Sequence, residues 1–104
     1  MTSWAPAPVL IAGPCVPEDH TTNLAIATQV AELGERLAVK TVFKASFDKA
    51  NRSNSGAARG PGITKGLRLL EQVKNEVGIP VLTDVHEAWQ AAEAGAVVDA
   101  LQVP

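Results

Sequence analysis

"GIPVLTDVHEAWQAAEAGAVVDALQVP", Gly78 to Pro104, is the stretch on which the fold reading turns. "VLTDV" (Val81–Val85) is a short apolar run behind a glycine and a proline, the signature of a buried strand. Glu87 to Ala94 reads as a short helix closed by Gly95. "VVDALQV" (Val97–Val103) reads as the next strand. Strand, helix and strand in succession point to a parallel pair joined by a helical crossover.

The same alternation runs back through the chain. Val9 to Ala12 is a short apolar run closed by Gly13-Pro14, read as a first strand meeting a turn. Asp19 is a candidate cap for a first helix, whose apolar face is drawn by Leu24, Ala27, Val30, Ala31, Leu33 and Leu37. Val39 to Ser46 is a second strand, and Phe47 to Gly62 a long polar loop. Ile63, Leu67, Leu70, Val73 and Val77 trace a second helix, stopped by Gly78 and Pro80. The expected fold class is therefore α/β, with about four parallel strands and three helices. That is the N-terminal half of an eight-fold barrel, a (β/α)8 architecture of about 250 residues. Residues 1–8, rich in proline and alanine, are expected to form a flexible lead, and residues 9–104 a partial barrel domain. A small flavodoxin-like domain is the competing architecture.

Composition narrows the function classes. The chain has 104 residues, 46% hydrophobic and 19% charged, with a net charge of −2, which is ordinary globular composition. That balance offers no electrostatic case for nucleic acid or a membrane surface as partner. No apolar stretch approaches the roughly 18 residues of a membrane span, and Met1 to Val9 lacks the pattern of a secretory signal. The single cysteine, Cys15, has no partner for an internal disulfide and suits a reducing cytoplasm.

Four clusters fall at the carboxyl ends of the expected strands, where parallel α/β folds gather their functional groups. "FKASFDKANRS" (Phe43–Ser53) concentrates cations in a chain with few. Lys44 and Ser46 are two apart on a strand and share a face, while Lys49, Asn51, Arg52 and Ser53 follow on the loop. Guanidinium and ammonium groups there suit phosphate or carboxylate. A solvated loop with Asp48 as counter-ion reads equally well from composition alone. Asp84 and His86 are also two apart and could meet one ligand, orienting hydroxyls or passing protons. A strand-end histidine bonded to backbone is the plainer reading. Cys15 is a candidate divalent-metal ligand or simply a small buried hydrophobe. Gln102 is a polar residue among apolar neighbours and asks for a partner.

Together, "IAGPC" (Ile11–Cys15), "FKASFDKANRS", "RGPG" (Arg59–Gly62), "LTDVHE" (Leu82–Glu87) and "LQVP" (Leu101–Pro104) resemble the 3-deoxy-D-manno-octulosonate 8-phosphate synthase family from about Val9 onward. The related heptulosonate phosphate synthases share the glycine-proline-cysteine element. They carry a lysine-proline-arginine-threonine pattern where this chain has "KANRS". The resemblance implies a (β/α)8 barrel, usually a homotetramer, that condenses phosphoenolpyruvate with D-arabinose 5-phosphate on the route to lipopolysaccharide. By position, Lys44 would contact phosphoenolpyruvate and Lys49 would polarise the aldehyde. Asn51 would bond the pentose, and Arg52 with Ser53 would grip its phosphate. Asp84, His86 and Gln102 would line the pocket. A cysteine at position 15 implies the metal-dependent class, whose other ligands come from later in the barrel.

The chain differs from the family at Asn54 to Ala58, where smaller residues stand, and at Pro17. The expectation is an N-terminal half that is inactive alone. A non-catalytic phosphosugar-binding half-barrel, a heptulosonate phosphate synthase and an inert truncation product are the alternatives.

Overall fold

The computed structural model describes residues 8–48 and 60–104. In chain order the elements are β1 (Val9–Cys15), α1 (His20–Leu37), β2 (Lys40–Ala45), α2 (Ile63–Val77), β3 (Val81–Asp84), α3 (Ala88–Gly95) and β4 (Ala100–Gln102).

Each helix start and stop has a local cause. Asp19 caps α1, its carboxylate accepting the Thr22 N–H and the Thr22 hydroxyl, both at 2.9 Å. These two bonds hold the Asp19 pKa below its ordinary value. α1 ends on Ala38 and α2 on Gly78, both in the left-handed conformation that returns the last N–H to the helix. α3 opens on a capping box, in which Glu87 and Gln90 each accept the other's backbone N–H.

The strands form one parallel sheet in the order β1-β2-β3-β4. All three helices contribute to one core against the sheet, with α1 against α2 and α2 against α3, as the right-handed rule for such crossovers leads one to expect. Between sheet and helices lies the core: Phe43, Ala45 and Val81 from the strands meet Ala27, Leu67, Leu70, Val73 and Ala94 from the helices, with Phe47, Val85 and Val98 from the connections. A flavodoxin-like sheet would insert β1 between β2 and β3. Sequential order rules that out. This is the arrangement of half an eight-stranded barrel, open between β1 and β4, and Val9 and Ile11 on its other face stand half exposed.

Several expectations need correction. β1 continues past Ala12 through Gly13 and Pro14 to Cys15, by way of a register shift; proline is tolerated at a bulge on an edge strand. Phe47 is buried in the core, so the connection after β2 is apolar where it begins. The inner face of α1 is Asn23, Ala27, Val30 and Gly34, while Leu33 and Leu37 are exposed. Small residues win there because α1 lies against β2: a Cβ on Gly34 would sit 2.5 Å from Thr41 Cγ2. Finally, β4 is only Ala100–Gln102. Val97 and Val98 instead turn back on α3, both donating to the Ala94 carbonyl, and Val98 joins the core.

Candidate functional site

At the carboxyl end of β1 the bulge re-aims the chain. A Cβ on Gly13 would lie 1.8 Å from the Lys44 carbonyl oxygen, a separation no side chain survives, so only glycine lets β1 press on β2 there. Cys15 then has φ of 75°, a left-handed conformation unfavourable for a residue with a side chain. Its carbonyl accepts the Ser46 N–H at 2.8 Å, which locks the two strand ends together. Behind it, buried Asn23 clamps the connection to α1 by accepting from Glu18 N and donating to Glu18 O, both at 2.8 Å.

Register then aligns the other groups. Lys44 pairs with Leu82 and Leu82 with Ala100; one step along, Asp84 pairs with Gln102. Neighbours in register share a face, as do residues two apart. Lys44, Asp84 and Gln102 therefore stand on the open face at the carboxyl ends of three adjacent strands. Lys44 is half-buried, Asp84 buried and Gln102 exposed.

His86 is the second residue past the end of β3. Its Nε2 lies 2.8 Å from the Asp48 carbonyl oxygen and 3.2 Å from Asp84 Oδ2. A carbonyl oxygen only accepts, so Nε2 carries the hydrogen and shares it with the carboxylate. The strand-end histidine bonded to backbone, the plainer reading, is thus present, and the pairing with Asp84 is present beside it.

Asp84 Oδ1 and Ser46 Oγ are buried at this end with no hydrogen-bond partner among the described residues, as is Thr83 Oγ1. A buried polar atom left unpaired costs on the order of 1–3 kcal/mol; the carboxylate oxygen can only accept, while the hydroxyls can also donate. The sequence reading set Ser46 on the Lys44 face without giving it a role; its complete burial is what marks it. Gln90 was missed altogether: the usual capping-box signal begins on serine, threonine, aspartate or asparagine, and Glu87 stands in that place here.

Lys49, Asn51, Arg52 and Ser53 lie outside the described residues. The Cys15 thiol is free and exposed, which fits one soft corner of a divalent-metal site. Among the described residues no group of three or more histidine, cysteine or acidic side chains could hold a metal. A cleft of about 690 Å³ opens at the other end of the strands, lined by Pro8, Gly34, Lys40 and Pro80. It is remote from Cys15, Asp84 and His86. Among the described residues no helix is long and apolar enough to cross a membrane.

Residues 5–104 match the model of the DAHP synthetase I family. Three curated proteins named 2-dehydro-3-deoxyphosphooctonate aldolase are similar to the chain. That of Synechococcus sp. is 54% identical over 95 residues, covering 91% of this chain and 34% of the relative. That of Fusobacterium nucleatum is 49% identical over 96 residues, 92% of this chain and 34% of the relative. That of Thioalkalivibrio sulfidiphilus is 54% identical over 95 residues, again 91% and 34%. The chain spans about a third of the length of these relatives. With its parallel half-barrel sheet and its polar groups gathered at the strand ends, the chain belongs to the DAHP synthetase I family, and its resemblance there is to the 2-dehydro-3-deoxyphosphooctonate aldolases.

Proposed function

We propose that this chain supplies the first strands of a synthase that joins phosphoenolpyruvate to D-arabinose 5-phosphate, a transferase on the route to lipopolysaccharide. The products are 3-deoxy-D-manno-octulosonate 8-phosphate and inorganic phosphate. The observation that carries the reading is the alignment of Lys44, Asp84 and Gln102 on one open face, beside the buried Asp84 and Ser46 oxygens that lack partners among the described residues.

The chemistry asks for those groups. The methylene carbon of phosphoenolpyruvate attacks the aldehyde carbon, a carbon–carbon bond forms, and negative charge grows on the aldehyde oxygen. An ammonium placed there, assigned to Lys49, stabilises that charge as it develops. Water adds to the adjacent enol carbon, and the phosphate hemiketal breaks its carbon–oxygen bond to expel phosphate. Lys44 holds the phosphoenolpyruvate anion, Asn51 the pentose, and Arg52 with Ser53 its phosphate. Anchoring both substrates by their anions supplies proximity, worth several kcal/mol and up to about 7–11 in ideal cases. Asp84 accepts pentose hydroxyls, with His86 holding one of its oxygens, and Gln102 lines the same face.

Cys15 is proposed as one ligand of a divalent metal, which when bound would supply Lewis-acid polarisation. The remaining ligands, and the strands that close the barrel, would be drawn from outside these residues. A homotetramer in the cytoplasm is the expected working form. The family description fits the heptulosonate branch equally. The "KANRS" segment, Lys49 to Ser53, favours the octulosonate branch.

The test is a chimera in which this chain replaces the matching third of the Synechococcus relative. Release of phosphate with both substrates supports the proposal. A folded chimera that binds arabinose 5-phosphate without turnover supports a non-catalytic sugar-phosphate module instead.

A further inference from the structure

We infer that Gln90 is a positioning residue for the site: it fixes the His86 backbone so that the ring can tie the end of β3 to the carbonyl of Asp48. What the positioned histidine is for rests on the functional reading above; the positioning itself does not.

Gln90 is the third residue of α3 and is buried. Its Oε1 accepts the Glu87 N–H at 3.0 Å, the ordinary reach of a capping box. The same oxygen also accepts the His86 N–H at 2.8 Å. That second bond goes beyond what a helix start requires. It uses the remaining lone pair of one amide oxygen to fix the residue ahead of the cap, and that residue is the histidine.

The ring carries the constraint onward. Nε2–H points to Asp48 O and Asp84 Oδ2 at once. The line runs from Gln90 Oε1 through the His86 backbone and ring to the Asp48 carbonyl.

The experiment is long-range 15N–1H NMR of the imidazoles in this chain near pH 8, comparing wild type with Gln90→Leu and Gln90→Glu. Leucine matches glutamine in size but cannot accept; glutamate keeps the acceptor oxygens. The expected result is an Nε2–H ring at His86 in wild type and Q90E. In Q90L a mixture of tautomers is expected, with exchange of the His86 amide faster by about tenfold and the Leu70 and Val81 amides still protected. A ring unchanged in Q90L, or not restored in Q90E, overturns the inference. If Q90L fails to fold, wild type and Q90E decide the matter, since an Nδ1–H ring in either contradicts it. Failure of the functional reading is distinct: the chimera then shows no turnover while these ring states stand.

Discussion

Nε2 of His86 lies 3.2 Å from Oδ2 of Asp84, and the other oxygen of that carboxylate is buried with no partner among the described residues. A buried carboxylate oxygen without a donor is costly, and a hydroxyl brought to it would remove that cost.

The prediction is a split between binding and stability. Asp84→Asn in the chimera should weaken arabinose 5-phosphate by about tenfold to hundredfold, as expected when charge-assisted hydrogen bonds are lost. Its thermal stability should stay level or rise. Calorimetry and a melting curve decide. Lower stability with unchanged affinity would make Asp84 a purely structural residue.

Gly13 offers a sharper structural test. An added Cβ would meet the Lys44 carbonyl at 1.8 Å, and backbone on both sides leaves nothing flexible to yield. Gly13→Ala should therefore destabilise the chain by at least roughly 1–3 kcal/mol, the usual cost of overpacking, read from urea unfolding. A variant as stable as wild type would show that β1 and β2 do not approach as described.

How much of this was legible in the sequence depends on which force set each feature. The Asp19 start of α1 and the Gly78 stop of α2 were readable because caps and stops act within a few residues. The shared face of Lys44, Asp84 and Gln102 was readable in part because side chains alternate along a strand. The inward turn of Val98, the burial of Phe47 and the exposure of Leu33 and Leu37 were not. Those are settled by packing between elements distant in sequence, and a β-branched pair such as Val97-Val98 suits a strand or a buried turn equally. Ser46 shows the same limit: it was expected on the strand, β2 ends one residue before it, and only the fold gave its burial.

Asp19 makes a prediction about acid. Thr22 lowers its pKa below the ordinary 3.8, so the cap contributes stability that is fully present above that value. The contribution is lost as pH falls through the lower, folded-state value. Urea midpoints for wild type and Asp19→Ala should differ from about pH 6 down to about pH 4 and converge toward about pH 2. A gap that persists at the acid end would mean the carboxylate charge is not what caps α1.

The central claim is that the cations after β2 exist to hold bound oxyanions. Phosphate release from the two substrates by chimeras bearing Lys49→Ala or Lys65→Ala measures it directly, Lys65 being an exposed lysine on α2. The account predicts a loss of at least about a hundredfold for Lys49→Ala, the scale of removing a charge-stabilising donor. Lys65→Ala should stay within about twofold of the parent, as surface substitutions usually do. Equal effects of the two substitutions would contradict it.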